Sequence, residues 1–244
     1  MRKGVKILLL SLVFISFVYL VYEFIEIDRE IDRLRFENPK ITSLMEQRIE
    51  EAKRKGRNYK INQIWVPISR ISPYLINAVI VSEDASFFSH GGVDWYEVKE
   101  SIRRNLERGR ISRGASTITM QVAKNLFLST SRNPLRKLVE VLIAYRVEQK
   151  LSKRRILEIY LNIIELGDGI FGVESASRKY FGKSASELTL EESARLAAVI
   201  PSPLRYNPNS NKRFVTWRVN LIMNRLLARE KIKLGISNES GAIE

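Results

Sequence analysis

The sequence contains no cysteine and a single histidine, His90. Without cysteine there is no disulfide framework, no thiolate nucleophile and no Cys-ligated zinc or iron–sulfur cluster. One histidine likewise excludes the paired-His zinc motifs. Acidic residues are scarce beside basic ones: 27 Asp and Glu face 41 Lys and Arg, a formal charge of +14 on 244 residues. Internal repeats and low-complexity tracts are absent. What is present, 45% hydrophobic and 28% charged residues, is the composition of a globular chain with a sizeable core.

The first 25 residues bear on the compartment. Arg2, Lys3 and Lys6 precede an apolar run from Ile7 to Ile25, broken only by Ser11, Ser16 and Glu23. As a helix this run spans about 28 Å, close to the hydrocarbon thickness of a bilayer. No small-residue cleavage site follows it; the chain passes into Glu26, Asp28, Arg29 and Glu30. The pattern predicts an uncleaved signal anchor with residues 1–6 as a cytoplasmic tail, 7–25 as the span and the bulk of the chain outside. A basic domain held there meets anionic head groups or anionic substrates first, and nucleic acid is excluded as a partner by the compartment.

Beyond the span the pattern is mainly helical. Residues 26–60 read as a stalk or linker, helical over 26–45 with Asn38-Pro39 ending the helix, and 61–244 as one domain. A strand-like run covers 61–66. Ser72-Pro73 opens a helix to Ser82, Asp94 one to about Arg108, and Asn133-Pro134 a third. In that third helix Leu135, Leu138, Val139, Leu142 and Ile143 form an apolar stripe expected to be buried, with Arg136 and Glu140 flanking it. Ser152 opens a fourth, with Ile156, Ile159, Tyr160, Ile163 and Ile164 on its inner face and Gly167 as its expected cap. Thr189 to Glu192 is a capping box for a helix stopped by Pro201, and the last helix covers 213–231. The basic, Gly-punctuated segment 106–115 is expected to be mobile.

Several patterns carry no chemistry. Gly167, Gly169 and Gly172 match G-x-G-x-x-G but follow an amphipathic helix, not the strand a dinucleotide turn requires. Gly182-Lys183-Ser184 lacks the first glycine of a Walker loop, because position 177 is Ser177. No serine has lysine three residues on, so the Ser-x-x-K nucleophile is missing. Glu83-Asp84 is different. It ends an apolar helix, where a carboxylate loses solvent and gains basicity suited to general acid–base work. Aromatics, His90 and two glycines follow. Read alone, it is more simply an acidic helix end, as Arg136–Glu140 is a surface ion pair.

Taken in order, five runs change that. E-D-x-x-F-x-x-H-x-G from Glu83, G-A-S-T-I-T-M-Q-x-x-K-N from Gly114, R-K-x-x-E from Arg136, K-x-x-I-L-E-x-Y-L-N from Lys153 and G-x-x-x-A-x-x-x-Y-F-G from Gly172 succeed one another over about 65–210. They resemble the motifs of the peptidoglycan glycosyltransferases, the polymerase module also found in bifunctional penicillin-binding proteins. With no Ser-x-x-K, the chain is similar to the monofunctional branch. The resemblance implies a mainly α, lysozyme-like two-lobed domain behind one N-terminal transmembrane helix, in the cytoplasmic (inner) membrane with the domain periplasmic. It implies polymerisation of lipid II into β-1,4 glycan with inversion and release of undecaprenyl pyrophosphate. Glu83 matches the general base on the acceptor 4-hydroxyl, and Glu140 the second essential carboxylate, assisting the leaving pyrophosphate.

By the same resemblance Asp84, Phe87, His90 and Gly91 shape the cleft. Ser116, Thr117, Gln121, Lys124 and Asn125 belong to the second motif, Lys124, Arg132 and Lys137 hold the donor pyrophosphate, and Arg136 is a further substrate-binding residue. Met120 stands where the family often has Gln. A divalent cation, Mg or Mn, at Glu140 is implied, and no organic cofactor. Implied partners are lipid II, the growing glycan chain, membrane lipids and other cell-wall synthesis or division proteins. Two other readings fit the residues less well: a membrane-anchored muramidase or lytic transglycosylase using Glu83 as general acid, and a non-catalytic cell-wall or lipid-binding module. The first does not need the cations at 124, 132 and 137, and the second predicts that Glu83 and Glu140 can be lost without consequence.

Overall fold

The computed structural model describes residues 2–107, 109, 114–128 and 134–233. The chain is mainly helical. Its first helix, α1 (Arg2–Arg33), is long and apolar enough to cross a membrane and fits a single-pass anchor; its apolar stretch has a mean hydropathy of 2.3 and lies entirely outside the folded body. The lower end of the same helix enters the core, where Ile31 is fully buried. Arg146 Nε donates to Asp28 Oδ1 at 2.8 Å, and Lys150 Nζ to Asp28 Oδ2 at 2.7 Å and Asp32 Oδ2 at 2.6 Å. Arg155 fastens the turn that follows, donating to the Leu34 and Glu37 carbonyls at 2.8 and 2.7 Å.

The segment expected as a stalk is therefore built into the domain. The helix there ends at Arg33 and not at Asn38-Pro39. A second helix, α2 (Ser43–Arg54), begins at Thr42, whose hydroxyl accepts the Met45 N–H at 3.2 Å. Its mixed charges disguise two core residues, Leu44 and Met45, which pack on Phe171. Arg48 anchors the helix by a two-pronged pair with the buried Glu165, at 2.7 and 2.8 Å.

The expected strand at 61–66 shrinks to β1 (Asn62–Gln63). The helix α3 (Pro73–Glu83) starts with the proline at its first turn and buries Leu75, Ala78, Val79, Ile80 and Val81. Then come α4 (Trp95–Glu107), α5 (Ile118–Phe127), α6 (Pro134–Lys150) and α7 (Lys153–Ile163). After α7 the chain turns into a hairpin, β2 (Glu165–Gly167) and β3 (Ile170–Phe171), so Gly167 is a strand residue and not a helix cap. In the small sheet β3 is central, parallel to β1 and antiparallel to β2. The G-x-G-x-x-G pattern is explained by this hairpin. At Gly172, φ is +79° and a Cβ would stand 2.6 Å from the Asn162 carbonyl oxygen, so only glycine fits.

The chain continues through α8 (Val173–Phe181), α9 (Leu190–Val199) and α10 (Arg213–Lys233). The expected capping box at Thr189 and Glu192 is present. The helices α3, α9 and α10 pack against one another, while α5 packs on α6 and α7. The stripe on α6 is not buried as expected: Leu135 and Leu138 are 69% and 59% exposed, and the helix enters the core only from Ile143 through Ala144 and Val147. Of the segment expected to be mobile, residues 108 and 110–113 lie outside the described residues.

Candidate active site

The end of α3 carries Glu83, and the next residue pins it. Asp84 breaks the helix at φ −161°, its side chain almost wholly buried. One of its oxygens accepts the Ile118 N–H at 3.0 Å and the other faces His90 Nε2 at 2.9 Å. A carboxylate at the first turn of α5 satisfies a donor that the helix leaves free and sits at the positive end of its dipole. Asp84 and His90 thus join the end of α3 to the start of α5. Phe87 is wholly buried with Lys153 Nζ 4.4 Å above its ring, so it supports this loop from below.

Gly91 is unconstrained, whereas Gly92 takes φ +93° against α6, where a Cβ would meet Glu148 Cγ at 3.0 Å. Gly92, and not the expected Gly91, is therefore the glycine the fold requires, and it is the one at the final position of the E-D-x-x-F-x-x-H-x-G run. Its carbonyl accepts the Thr117 hydroxyl at 2.5 Å, and Thr117 in turn caps α5 through the Met120 N–H at 3.1 Å.

Glu83 itself is enclosed on both oxygens, with its side chain 11% exposed. Oε1 accepts from Ser82 Oγ at 3.0 Å and Arg218 Nη2 at 3.3 Å; Oε2 accepts from Gln121 Nε2 at 3.1 Å. Arg218 comes from α10, far along the chain, and no local signal pointed to it. Burial pulls its guanidinium below the ordinary value, with Glu83 acting the other way. Arg225, also on α10, donates to the Val81 carbonyl at 2.9 Å. A cleft of about 350 Å³ opens in front of Glu83, lined also by Asp94, Tyr96, Ser116, Thr117 and Arg225.

The other half of the site stands on α5 and α6. Glu140 is 2% exposed, and its oxygens are taken by Arg136 Nη1 at 2.8 Å and Lys137 Nζ at 2.5 Å. Lys137 also donates to Ser116 Oγ at 2.8 Å, tying α6 to the loop before α5. Lys124, one turn after Gln121 on α5, is electrostatically coupled to both halves. Burial depresses its ammonium, Glu140 raises it, Arg136 and Lys137 lower it and Glu83 raises it. Gln121, Lys124 and Asn125 line a smaller cavity of about 160 Å³ with Arg48 and Glu165. Among the described residues the buried Asn125 amide oxygen meets no hydrogen-bond donor. Arg132 lies outside the described residues.

Among the described residues no three acidic or histidine side chains gather as a metal site. Both Glu140 oxygens are bound to cations, so its donor set is that of an ion-paired carboxylate and does not fit a divalent cation.

The site thus sets a buried carboxylate, Glu83, at a cleft and gathers Lys124, Arg136 and Lys137 on the neighbouring helices α5 and α6. The profile of the transglycosylase family matches residues 48–227, and the chain belongs to that family. It is 42% identical to the biosynthetic peptidoglycan transglycosylase of Nitrosospira multiformis over 88% of this chain and 93% of that protein. The protein of the same name from Herminiimonas arsenicoxydans is 37% identical over 94% and 98% of the two chains. That of Aromatoleum aromaticum is 48% identical over 69% and 74%.

Proposed function

We propose that the chain is a peptidoglycan glycosyltransferase that polymerises lipid II into β-1,4-linked glycan strands and releases undecaprenyl pyrophosphate. The observation that carries this is the join made by α5 and α6: Gln121 holds Glu83, Arg136 and Lys137 are held on Glu140, and Lys124, one turn after Gln121, is electrostatically coupled to both groups. Glu83 takes the proton of the acceptor 4-hydroxyl as that oxygen attacks the donor anomeric carbon. The bond from that carbon to the phosphate oxygen breaks, and the pyrophosphate keeps the electron pair. Its growing charge falls beside Lys124, Arg136 and Lys137, where cations held in a partly desolvated site stabilise a transition state strongly. Glu140 holds the two α6 cations in place. Attack opposite the leaving group inverts the anomeric centre. A hydrolase of neutral glycosidic bonds has no use for such a cluster.

In the same reading residues 7–25 cross the cytoplasmic membrane with the N-terminus inside, and the domain works in the periplasm against its lipid-linked substrate. The test is incubation of the full chain in detergent with labelled lipid II, beside Glu83→Gln. A glycan ladder from the wild type, with the variant slowed about 100- to 10,000-fold, supports the assignment. Untouched lipid II together with shortening of pre-made glycan would replace it with the hydrolytic reading.

A further inference from the structure

Two hydrogen bonds run in series from the core to the carboxylate. Tyr160, in α7, is fully buried, and its hydroxyl donates to Gln121 Oε1 at 3.1 Å. The amide nitrogen of the same glutamine donates to Glu83 Oε2 at 3.1 Å. An amide carries its acceptor and its donor on opposite arms, so the partner of one arm decides where the other points. Turned round, Gln121 would set its oxygen against a carboxylate oxygen, acceptor against acceptor. The acceptor-only carboxylate disfavours this, and the hydroxyl that donates to the amide oxygen holds the same orientation from the other arm and polarises the N–H that faces Glu83. Burial, and the negative charges of Glu83 and Asp84, push the phenol well above its ordinary value of 10.0, so it remains a neutral donor. The other charged groups facing Glu83 are Lys124 from α5 and Arg218 from α10.

We infer that Tyr160 is a positioning residue for the reaction: through Gln121 it fixes the carboxylate of Glu83 in the orientation that receives the acceptor proton. Enclosed as it is, Tyr160 touches no substrate and acts only through the glutamine. The inference rests on Glu83 being the base, and its test separates the two.

The full chain in detergent micelles is compared as wild type, Tyr160→Phe, Gln121→Ala and the double variant. The first readout needs no catalysis: the carboxyl carbon resonance of Glu83, assigned with Glu83→Gln, is followed against pH. Loss of the polarised N–H destabilises the carboxylate, so the midpoint rises in Tyr160→Phe and in Gln121→Ala, and no further in the double variant. The second is lipid II polymerisation. Here Tyr160→Phe lowers kcat about tenfold at unchanged KM, the size of one buried hydrogen bond, and adds little in the Gln121→Ala background.

A purely structural tyrosine would lower Tm while leaving the midpoint where it is, or would act additively with Gln121→Ala; either result overturns the inference. If Tyr160→Phe fails to fold, difluorotyrosine at position 160 keeps the ring and strengthens the donor, and must move the midpoint down. A midpoint shift in a protein that makes no glycan would sink the proposed function and leave the positioning link standing. Glycan made with no midpoint shift would do the reverse.

Discussion

Replacing Asp84 by asparagine changes almost no volume and removes one acceptor from a place that uses two. The carboxylate accepts the Ile118 N–H at 3.0 Å and faces His90 Nε2 at 2.9 Å, with its side chain 2% exposed. Asparagine keeps one oxygen, so its NH2 either faces the Ile118 N–H or faces His90 Nε2, which can accept only by moving the ring proton to the buried, unpartnered Nδ1. Hydrogen bonds to a charged group contribute about 1.5–3 kcal/mol each. A charge at a helix N-terminus adds roughly 0.3–1 kcal/mol. Losing one bond and the charge together costs about 2–4 kcal/mol. For a chain of this size each kcal/mol lowers Tm by about 2–4 °C, so the fall is roughly 5–15 °C. Thermal unfolding of Asp84→Asn in detergent, checked by chemical denaturation, measures it. A Tm within about 2 °C of wild type would show that Asp84 does not pin α3 to α5.

Two further outcomes follow from the same contacts. Lys137→Met removes a cation from the cluster and frees Ser116, so kcat on lipid II falls about 100- to 1,000-fold while Tm changes little; a kcat within threefold of wild type would exclude a role at the leaving group. The Arg146 guanidinium, with Lys150, holds the Asp28 carboxyl below its ordinary range. A depressed folded-state value stabilises above the unfolded value and is lost as pH falls through the folded one. The Tm gap between wild type and Asp28→Asn should therefore be open at neutral pH and close below about pH 3, and a gap that persists in acid would refute the pairing.

The motifs were legible in the sequence because their residues serve local geometry. Thr117 must cap α5, and Asp84 must follow the last turn of α3; such needs leave short, fixed spacings. Arg218 escaped because its link to Glu83 crosses 135 positions and nothing on α10 marks it. Tyr160 was legible as an inward-facing residue, but helical periodicity says nothing of which polar atom its hydroxyl meets. The helix α2 was missed because its charges outnumber the apolar residues it buries. The α6 stripe misled for the opposite reason: apolar periodicity marks a hydrophobic face but not what covers it, and Leu135 and Leu138 stand on that face exposed.

The ion pairs at the foot of α1 give that helix a mechanical meaning. Asp28 meets Arg146 and Asp32 meets Lys150, the same offset of 118 in both, so α1 and α6 run side by side in the same direction at this contact. No swivel separates residues 7–25 from the helix that carries Glu140. The heading of the cleft is then a torsion angle set by counting residues. One residue inserted into α1 above Asp28 would turn the whole domain about 100° around the axis of the span and lift it about 1.5 Å, whereas a flexible tether would absorb the change unnoticed.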